Sequence, residues 1–279
     1  KKGGLFMVPG NAYGTTKGGM RFLLRDIISN KTLFQRSDKP YVVMMGTNII
    51  FNMDLNTIID AHENSGAQMT VVYCKATHNV DDETKLQINE NGRLTGVSAG
   101  VVYGDNASMD CCIVNRETLL EIIDHYQAAD YLDLLEALQG DFGNIDVCSY
   151  EYKGEVVGVF SEKSLYRRSM DLLDQTVADQ LFDPERPILT KAHDVPPSRY
   201  ATGSHACNSI ISAGCIIKGT VRNSILSRGV VVEEGASVTN SIINQSCIIK
   251  SGARVENAIL DKNNVVPTNT ELRGTPENI

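Results

Sequence analysis

The sequence holds no tryptophan and only 5 histidines, and its 26 basic residues are outnumbered by 34 acidic ones, for a formal net charge of −8. That balance argues against nucleic acid or an anionic membrane as a partner, because phosphate binding draws on clustered lysine and arginine. No CxxC spacing occurs among the 7 cysteines (Cys74, Cys111, Cys112, Cys148, Cys207, Cys215 and Cys247), and their number is odd. Zinc sites usually pair ligands two to four residues apart, so these thiols read as reduced and unligated. An apolar run of about 18 residues, long enough to cross a bilayer, is missing as well. With no signal-peptide pattern either, the expected location is the cytoplasm.

What is present suffices for a folded core. With 279 residues, 42% of them hydrophobic, two domains fit the length better than one. The first part alternates strand-like and helical runs. YVVMM (41–45), then LNTIIDAHENS with Gly66 as a stop, then AQMTVVY (67–73), predict a strand, a crossover helix and a second strand parallel to the first. Such near-continuous hydrophobic strands imply a sheet covered on both faces. Asp54 is expected to cap the first helix, and Asp130 to cap YLDLLEAL. CCIV (111–114) is a further strand, ahead of a helix with apolar Leu119, Leu120, Ile122 and Ile123. IDVCSY and EVVGVF are late strands, and KSLYRRSMDLL (163–173) is a last amphipathic helix. His62 and His125 read as helix-end caps or surface groups. Tyr103 and Tyr152 read as core residues, with stacking on a sugar or base as the alternative.

Between 175 and 206 the character changes. Four of the 8 prolines lie there, and because proline fixes φ and removes a donor, the segment is expected to be a surface linker with neither helix nor strand. Beyond it, NSII (208–211), NSIL (223–226), NSII (240–243) and NAIL (257–260) recur at offsets of 15, 17 and 17 residues. Short apolar triplets between these anchors, broken by small and polar residues, leave no helical period. A solenoid of three-sided β coils fits, with a β-sandwich as the alternative, and Cys215 and Cys247 would be small inward fillers. The expected organisation is an α/β domain over 1–174, a linker over 175–206 and a parallel β-helix over 207–279.

Taken together, these parts resemble the bacterial glucose-1-phosphate adenylyltransferases. The resemblance rests on GTTKGG (14–19), NMDLNTIIDAH (52–62), SMDCCIV (108–114), YRRSMDLL and the connector LFDPERPILTKAHDVPPSRY, in that order. It implies a partial Rossmann-like nucleotidyltransferase domain followed by a left-handed β-helix of hexapeptide type. It also implies a ligand site for a nucleotide or sugar phosphate near Gly14, Thr15, Thr16, Lys17, Ser108 and Asp110. GTTKGG is equally readable as a plain loop before the helix MRFLLRDIIS, and Asp110 as a turn or surface acid. The family's glycine-rich nucleotide loop is missing. A doubly wound sheet without its first half would expose strand edges, so the chain is expected to be a piece of a longer protein.

The departures bear on function. Members of the family hold Mg²⁺ on two aspartates to gather phosphate charge. Here the resemblance puts Asn48 at the first position and, in GVFS, Gly158 at the second. Val157 and Val159 flank the latter, and Glu155 and Glu162 are the nearest acids. A lysine that the family presents to the sugar phosphate has no counterpart either: none occurs between Lys85 and Lys153, and RLTGVSAG (93–100) stands in its place. Arg93 and Arg116 remain as cations, though an arginine fork is no copy of an ammonium. Every loss falls on a charged group while the apolar framework stays.

The resemblance thus points to the GlgD-type subunit: a regulatory, non-catalytic or weakly active chain, with no catalytic residue assigned and no directly bound cofactor or metal expected. Its partner would be a Mg²⁺-using catalytic sister in a hetero- or homo-tetramer for glycogen synthesis. Two alternatives stay open. One is an active nucleotidyltransferase with a divergent metal site. The other is a hexapeptide-repeat acyltransferase, for which His205 is the one histidine near the coils.

Overall fold

The computed structural model describes residues 22–129, 132–142, 144–191 and 193–275. The chain divides into two compact units, one of residues 1–49 and 53–154, the other of residues 50–52 and 155–279.

The first unit contains α1 (Leu24–Ser29), α2 (Lys31–Arg36), β1 (Tyr41–Met45), α3 (Leu55–Ser65), β3 (Met69–Lys75), β4 (Val80–Ile88), β5 (Leu94–Val101), β6 (Asn106–Asn115), α4 (Arg116–His125), α5 (Leu134–Leu138) and β7 (Val147–Glu151); β2 (Ile49–Phe51) lies at the division between units. β6 is the hub of the sheet. It pairs antiparallel with β1 along its second half, with β3 from Val114 to Asn106 and with β4 at Ala107, while β3 runs parallel to β7. The sequence expectation of two adjacent parallel strands is therefore corrected. β1 and β3 do run the same way, but antiparallel β6 lies between them. A hydrophobic run reports burial on both faces, as in the eight consecutive buried residues of β6; it does not report strand direction.

Local signals set the helices. Asp54 Oδ1 accepts the Asn56 amide at 2.9 Å and caps α3, which ends on Gly66 in the left-handed region. α4 turns Leu119, Ile122 and Ile123 into the core with Met69, Val71, Val114 and Val147. Asp130 lies outside the described residues. α5 begins at Leu134, and its cap is Asp133, whose second oxygen also accepts the Phe22 amide at 2.8 Å. His62 is not a surface group. It is 1% exposed, with Nδ1 2.8 Å from Thr70 Oγ1, Nε2 3.0 Å from Asn115 Oδ1 and its ring edge-on to Tyr41. On α3 its position follows Ile58 by one turn, so it shares the buried stripe, and two polar partners satisfy it there. His125 is exposed, as is Tyr103, whereas Tyr152 is half-buried.

In the second unit β2 pairs with β8 (Val156–Gly158), followed by α6 (Glu162–Asp171) and α7 (Gln175–Leu181). Ser161 and Ser164 form a reciprocal capping box on α6. The expected linker is thus not free of regular structure: α7 occupies its start, and strands at 199–200 and 205–207 already belong to the coils. Proline spacing marked only the extended stretch between them.

The coils themselves match the expectation of three sides. Two five-stranded sheets and one four-stranded sheet, all parallel, stack rung on rung. Cys215, Ile217, Val221, Leu226, Val232 and Cys247 are fully buried inside. At one corner the repeated asparagines Asn208, Asn223, Asn240 and Asn257 all adopt positive φ, 43° to 50°, a conformation asparagine tolerates better than most residues. Their amides form a ladder, each Nδ2 donating to the next Oδ1 at 2.7, 2.7 and 3.2 Å. The following serines form a second ladder: the amides of Ser224, Ser241 and Ala258 donate to the hydroxyls of Ser209, Ser224 and Ser241 at 3.1 to 3.3 Å. Gly219 turns another corner where a Cβ would sit 2.3 Å from the Ala236 carbonyl oxygen.

Asn240→Ala removes two ladder bonds and places alanine in the left-handed region, so it should lower stability by about 2–3 kcal/mol. Asn240→Gly should recover about 1 kcal/mol of that. Urea unfolding of the three proteins checks both values, and equal stability of the alanine and glycine variants would remove the backbone part of the argument.

Candidate functional site

β1, β3 and β7 run in one direction, and their carboxyl ends meet the first half of β6. In open α/β sheets such an edge is where ligands bind. The local cause is an irregularity in β6. Its pairing with β3 jumps from Val72 opposite Cys111 to Tyr73 opposite Ser108, so Met109 and Asp110 are extra residues. An insertion of this kind re-aims side chains near sites. Asp110 takes φ 46°, and its carbonyl accepts the Gly46 amide at 2.7 Å. A Cβ on Gly46 would come within 2.8 Å of the Asp110 Cβ, so glycine is required where β1 ends.

Asp110 is 6% exposed and Ser108 7%, with the Asp110 amide donating to Ser108 Oγ at 3.2 Å. Asp110 is therefore neither a turn nor a surface acid. Burial, with the Asp110 charge adding to it, pushes the Cys111 thiol up to about 12, and burial pushes Cys112 up too. Both thiols stay protonated near neutral pH and are poor nucleophiles.

Residues that alternate along a strand share a face. Tyr73 lies opposite both Ser108 and Glu151, and Lys75 opposite Asn106, so these five side chains belong to one face of the sheet at its carboxyl edge. The Tyr73 hydroxyl is 3.5 Å from Glu151 Oε2, and the Lys75 ammonium donates to Asn106 Oδ1 at 2.6 Å, 5.9 Å from the Tyr73 ring centre. Burial, then the Glu151 charge, raises the Tyr73 phenol above its usual range, so it remains a neutral donor. A hydroxyl pair, a carboxylate and an ammonium on one edge are groups that can hold a polyol bearing an anion.

Of the residues singled out in the sequence, Ser108 and Asp110 come together here. Gly14, Thr15, Thr16 and Lys17 lie outside the described residues. Asn48 is half-buried between β1 and β2 in the first unit, whereas Gly158 is the buried last residue of β8 in the second. Each of these positions, which the resemblance matches to a metal aspartate, lacks the hard anionic oxygen that Mg²⁺ demands: one has a neutral amide and the other no side chain. Val157 beside Gly158 is 5% exposed, Glu162 sits exposed at the start of α6, and Asp54 is committed to its cap. Among the described residues no group of three histidine, cysteine or acidic side chains could hold a metal ion. Arg93 and Arg116 belong to the opposite end of the sheet: Arg93 Nε lies 3.2 Å from Asp146, just before β7, and the Arg116 amide donates to the Pro40 carbonyl, just before β1. His205 is exposed on its strand beside Thr220. Tyr73, Lys75 and Glu151 were missed in the sequence. The alternation Tyr-Cys-Lys at the end of a buried strand was the available signal.

Residues 195–277 match the family described as GlmU-like, C-terminal hexapeptide. Over 245 residues, 85% of this chain and 60% of the relative, the sequence is 26% identical to the glycogen biosynthesis protein GlgD of Bacillus subtilis. It is 31% identical to GlgD of Geobacillus stearothermophilus over 74% of this chain and 51% of that protein. It is 30% identical to the glucose-1-phosphate adenylyltransferase of Corynebacterium jeikeium over 76% of this chain and 59% of that protein. Its homologues are GlgD proteins and glucose-1-phosphate adenylyltransferases. The chain spans between 51% and 60% of the length of these GlgD and adenylyltransferase relatives, and its coils carry the GlmU-like match.

The conformation at Asp110 gives a direct test. Asp110→Ala should be less stable than Asp110→Gly by about 1 kcal/mol, because only glycine takes positive φ without penalty. Thermal unfolding of both variants measures the difference, and equal midpoints would show that φ is not what restricts this position.

Proposed function

We propose that this protein is a regulatory, non-catalytic or weakly active partner of a glucose-1-phosphate adenylyltransferase in cytoplasmic glycogen biosynthesis, assembled with a catalytic sister chain in a tetramer. What carries this reading is the chemistry at the two positions that the resemblance matches to the family's metal aspartates: Asn48 offers an amide and Gly158 a hydrogen atom, where a divalent cation needs carboxylates. Attack of a sugar phosphate on the α-phosphate of ATP accumulates negative charge, and Mg²⁺ is the group that would neutralise it. Losing both metal carboxylates should cost at least about 4 kcal/mol of transition-state stabilisation, roughly a thousandfold in rate. The sister chain would supply the cation and the chemistry. This chain keeps a sheet edge with Ser108, Tyr73 and Glu151 able to hold a sugar phosphate, and the names of its relatives support glucose-1-phosphate as that ligand. A partner that binds one state of the sister preferentially shifts its equilibrium, so contact is sufficient for regulation.

A second reading, an active nucleotidyltransferase with a divergent metal site, is favoured by the buried Asp110 carboxylate beside Gly46.

Pyrophosphate release from ATP and glucose-1-phosphate with Mg²⁺ separates the two. The chain alone should turn over about a thousandfold more slowly than a glucose-1-phosphate adenylyltransferase, and adding it to that enzyme should change the enzyme's KM or kcat. Robust turnover by the chain alone, abolished by Asp110→Asn, would establish the second reading. Unchanged kinetics of the enzyme would remove the regulatory claim.

A further inference from the structure

Among the described residues, Arg93, Arg116, Lys85 and Lys75 are the cations on or directly beside the paired strands of the first unit, with Lys153 beyond the end of β7. Of the four, Lys75 meets three geometric requirements at once: the carboxyl edge, the face that carries Ser108, and no described acid within ion-pair distance. Arg93 and Arg116 fail the first, being tied to Asp146 and to the segment before β1 at the amino end. Lys85 fails the other two. It pairs with Ala107, one residue out of phase with Ser108, so it belongs to the opposite face. It is also held 2.8 Å from Asp105, whose carboxyl is pulled below its usual range chiefly by that hydrogen bond, with Lys75 the smallest contributor.

Lys75 meets all three. It is exposed on the last residue of β3, two positions beyond Tyr73 and opposite Asn106, which lies two positions before Ser108. Its ammonium donates to a neutral amide oxygen at 2.6 Å and lies over the Tyr73 ring at 5.9 Å. Among the side chains described, no carboxylate lies within ion-pair distance of it. An ammonium has three donors; among the side chains described, one amide oxygen accepts from this one, and Asp105 acts on it only from beyond ion-pair distance. The strand that should have delivered a cation has none: on β5, Ala99 lies opposite Thr84, in register with the Ser108 face and within the segment that stands in for the family's lysine strand. The charge missing from β5 is present on β3.

We propose that Lys75 is the residue that binds the anionic end of the ligand at this edge, a phosphate monoester whose polyol part contacts Ser108, Tyr73 and Glu151. The inference rests on the reading of the edge as a sugar-phosphate site and adds the group that selects for the phosphate. Asn106 and the Tyr73 ring hold the flexible side chain along the edge, so on binding the ammonium would exchange a neutral acceptor for a charged one. A charge-assisted bond of this kind is stronger than the one it replaces.

Titration calorimetry of the full chain with glucose-1-phosphate, glucose and inorganic phosphate, at two salt concentrations, tests this. Wild type should bind glucose-1-phosphate, more weakly at high salt. Lys75→Met should weaken that binding about tenfold or more and flatten its salt dependence, without changing the affinity for glucose or the thermal midpoint. Lys75→Arg should recover part of the loss. Lys85→Met should have no effect on binding. Equal affinity of wild type and Lys75→Met for glucose-1-phosphate would overturn the role of Lys75 and leave the site reading intact. No binding of glucose-1-phosphate to wild type would overturn both. A parallel loss of glucose and glucose-1-phosphate affinity in Lys75→Met would also overturn the proposal, because it would mean a general loss of shape.

Discussion

The two surplus residues in β6 are the constraint from which the rest of the first unit follows. β6 is buried along nearly its whole length; β1 pairs with it as far as Cys111, and β3 pairs with it on both sides of Met109 and Asp110. A strand with every residue in register would have continued flat to its end. Met109 and Asp110 instead interrupt the ladder where β1 ends, before β3 resumes it at Ser108, and Asp110 must adopt a backbone conformation that costs a non-glycine residue about 1–2 kcal/mol. That cost is offset by the Gly46 amide bonding to its carbonyl and by its own amide bonding to Ser108. The result is an edge where three strand ends deliver polar side chains around one buried carboxylate. Local strain of this kind concentrates at functional sites.

A different constraint rules the coils. The rungs place asparagine at one corner, where the chain turns with positive φ, followed by serines of which Ser224 and Ser241 are fully buried. Stacked rungs let each polar group find its partner in the next coil, so ladders of asparagine and serine replace solvent. Inside, the aliphatic and cysteine side chains repeat the same column and are excluded from water. Tyr166 on α6 donates its hydroxyl to the Asn240 carbonyl at 2.6 Å and ties that helix to the same corner. This geometry is a platform for contact more than for chemistry, in keeping with a chain proposed to act through a partner.

Much of this was legible in the sequence because it depends on period. The asparagine repeats named the coils, and the inward cysteines at 215 and 247 followed from them. Asp54, Gly66 and the stripe of α4 followed from capping and from the 3.6-residue rule. What was not legible depends on tertiary choice. Continuous hydrophobicity in YVVMM and MTVVY could not disclose that antiparallel β6 runs between them. His62 reads as a helix-end residue until Thr70 and Asn115 close around it. The site was half visible: Ser108 and Asp110 stood out through the resemblance, whereas Lys75, the residue proposed to take the phosphate, was hidden because the resemblance points to β5 for that cation and β3 is separated from β5 by β4 and β6.

The central proposal is electrostatic: the edge of the first unit would grip an anion with its own ammonium, and among the described residues no group of three histidine, cysteine or acidic side chains could hold a metal ion there. The direct measurement is the affinity of the chain for glucose-1-phosphate with Mg²⁺ present and with EDTA. The account predicts the same dissociation constant in both, within about twofold. Binding that tightens tenfold or more on adding Mg²⁺ would contradict it.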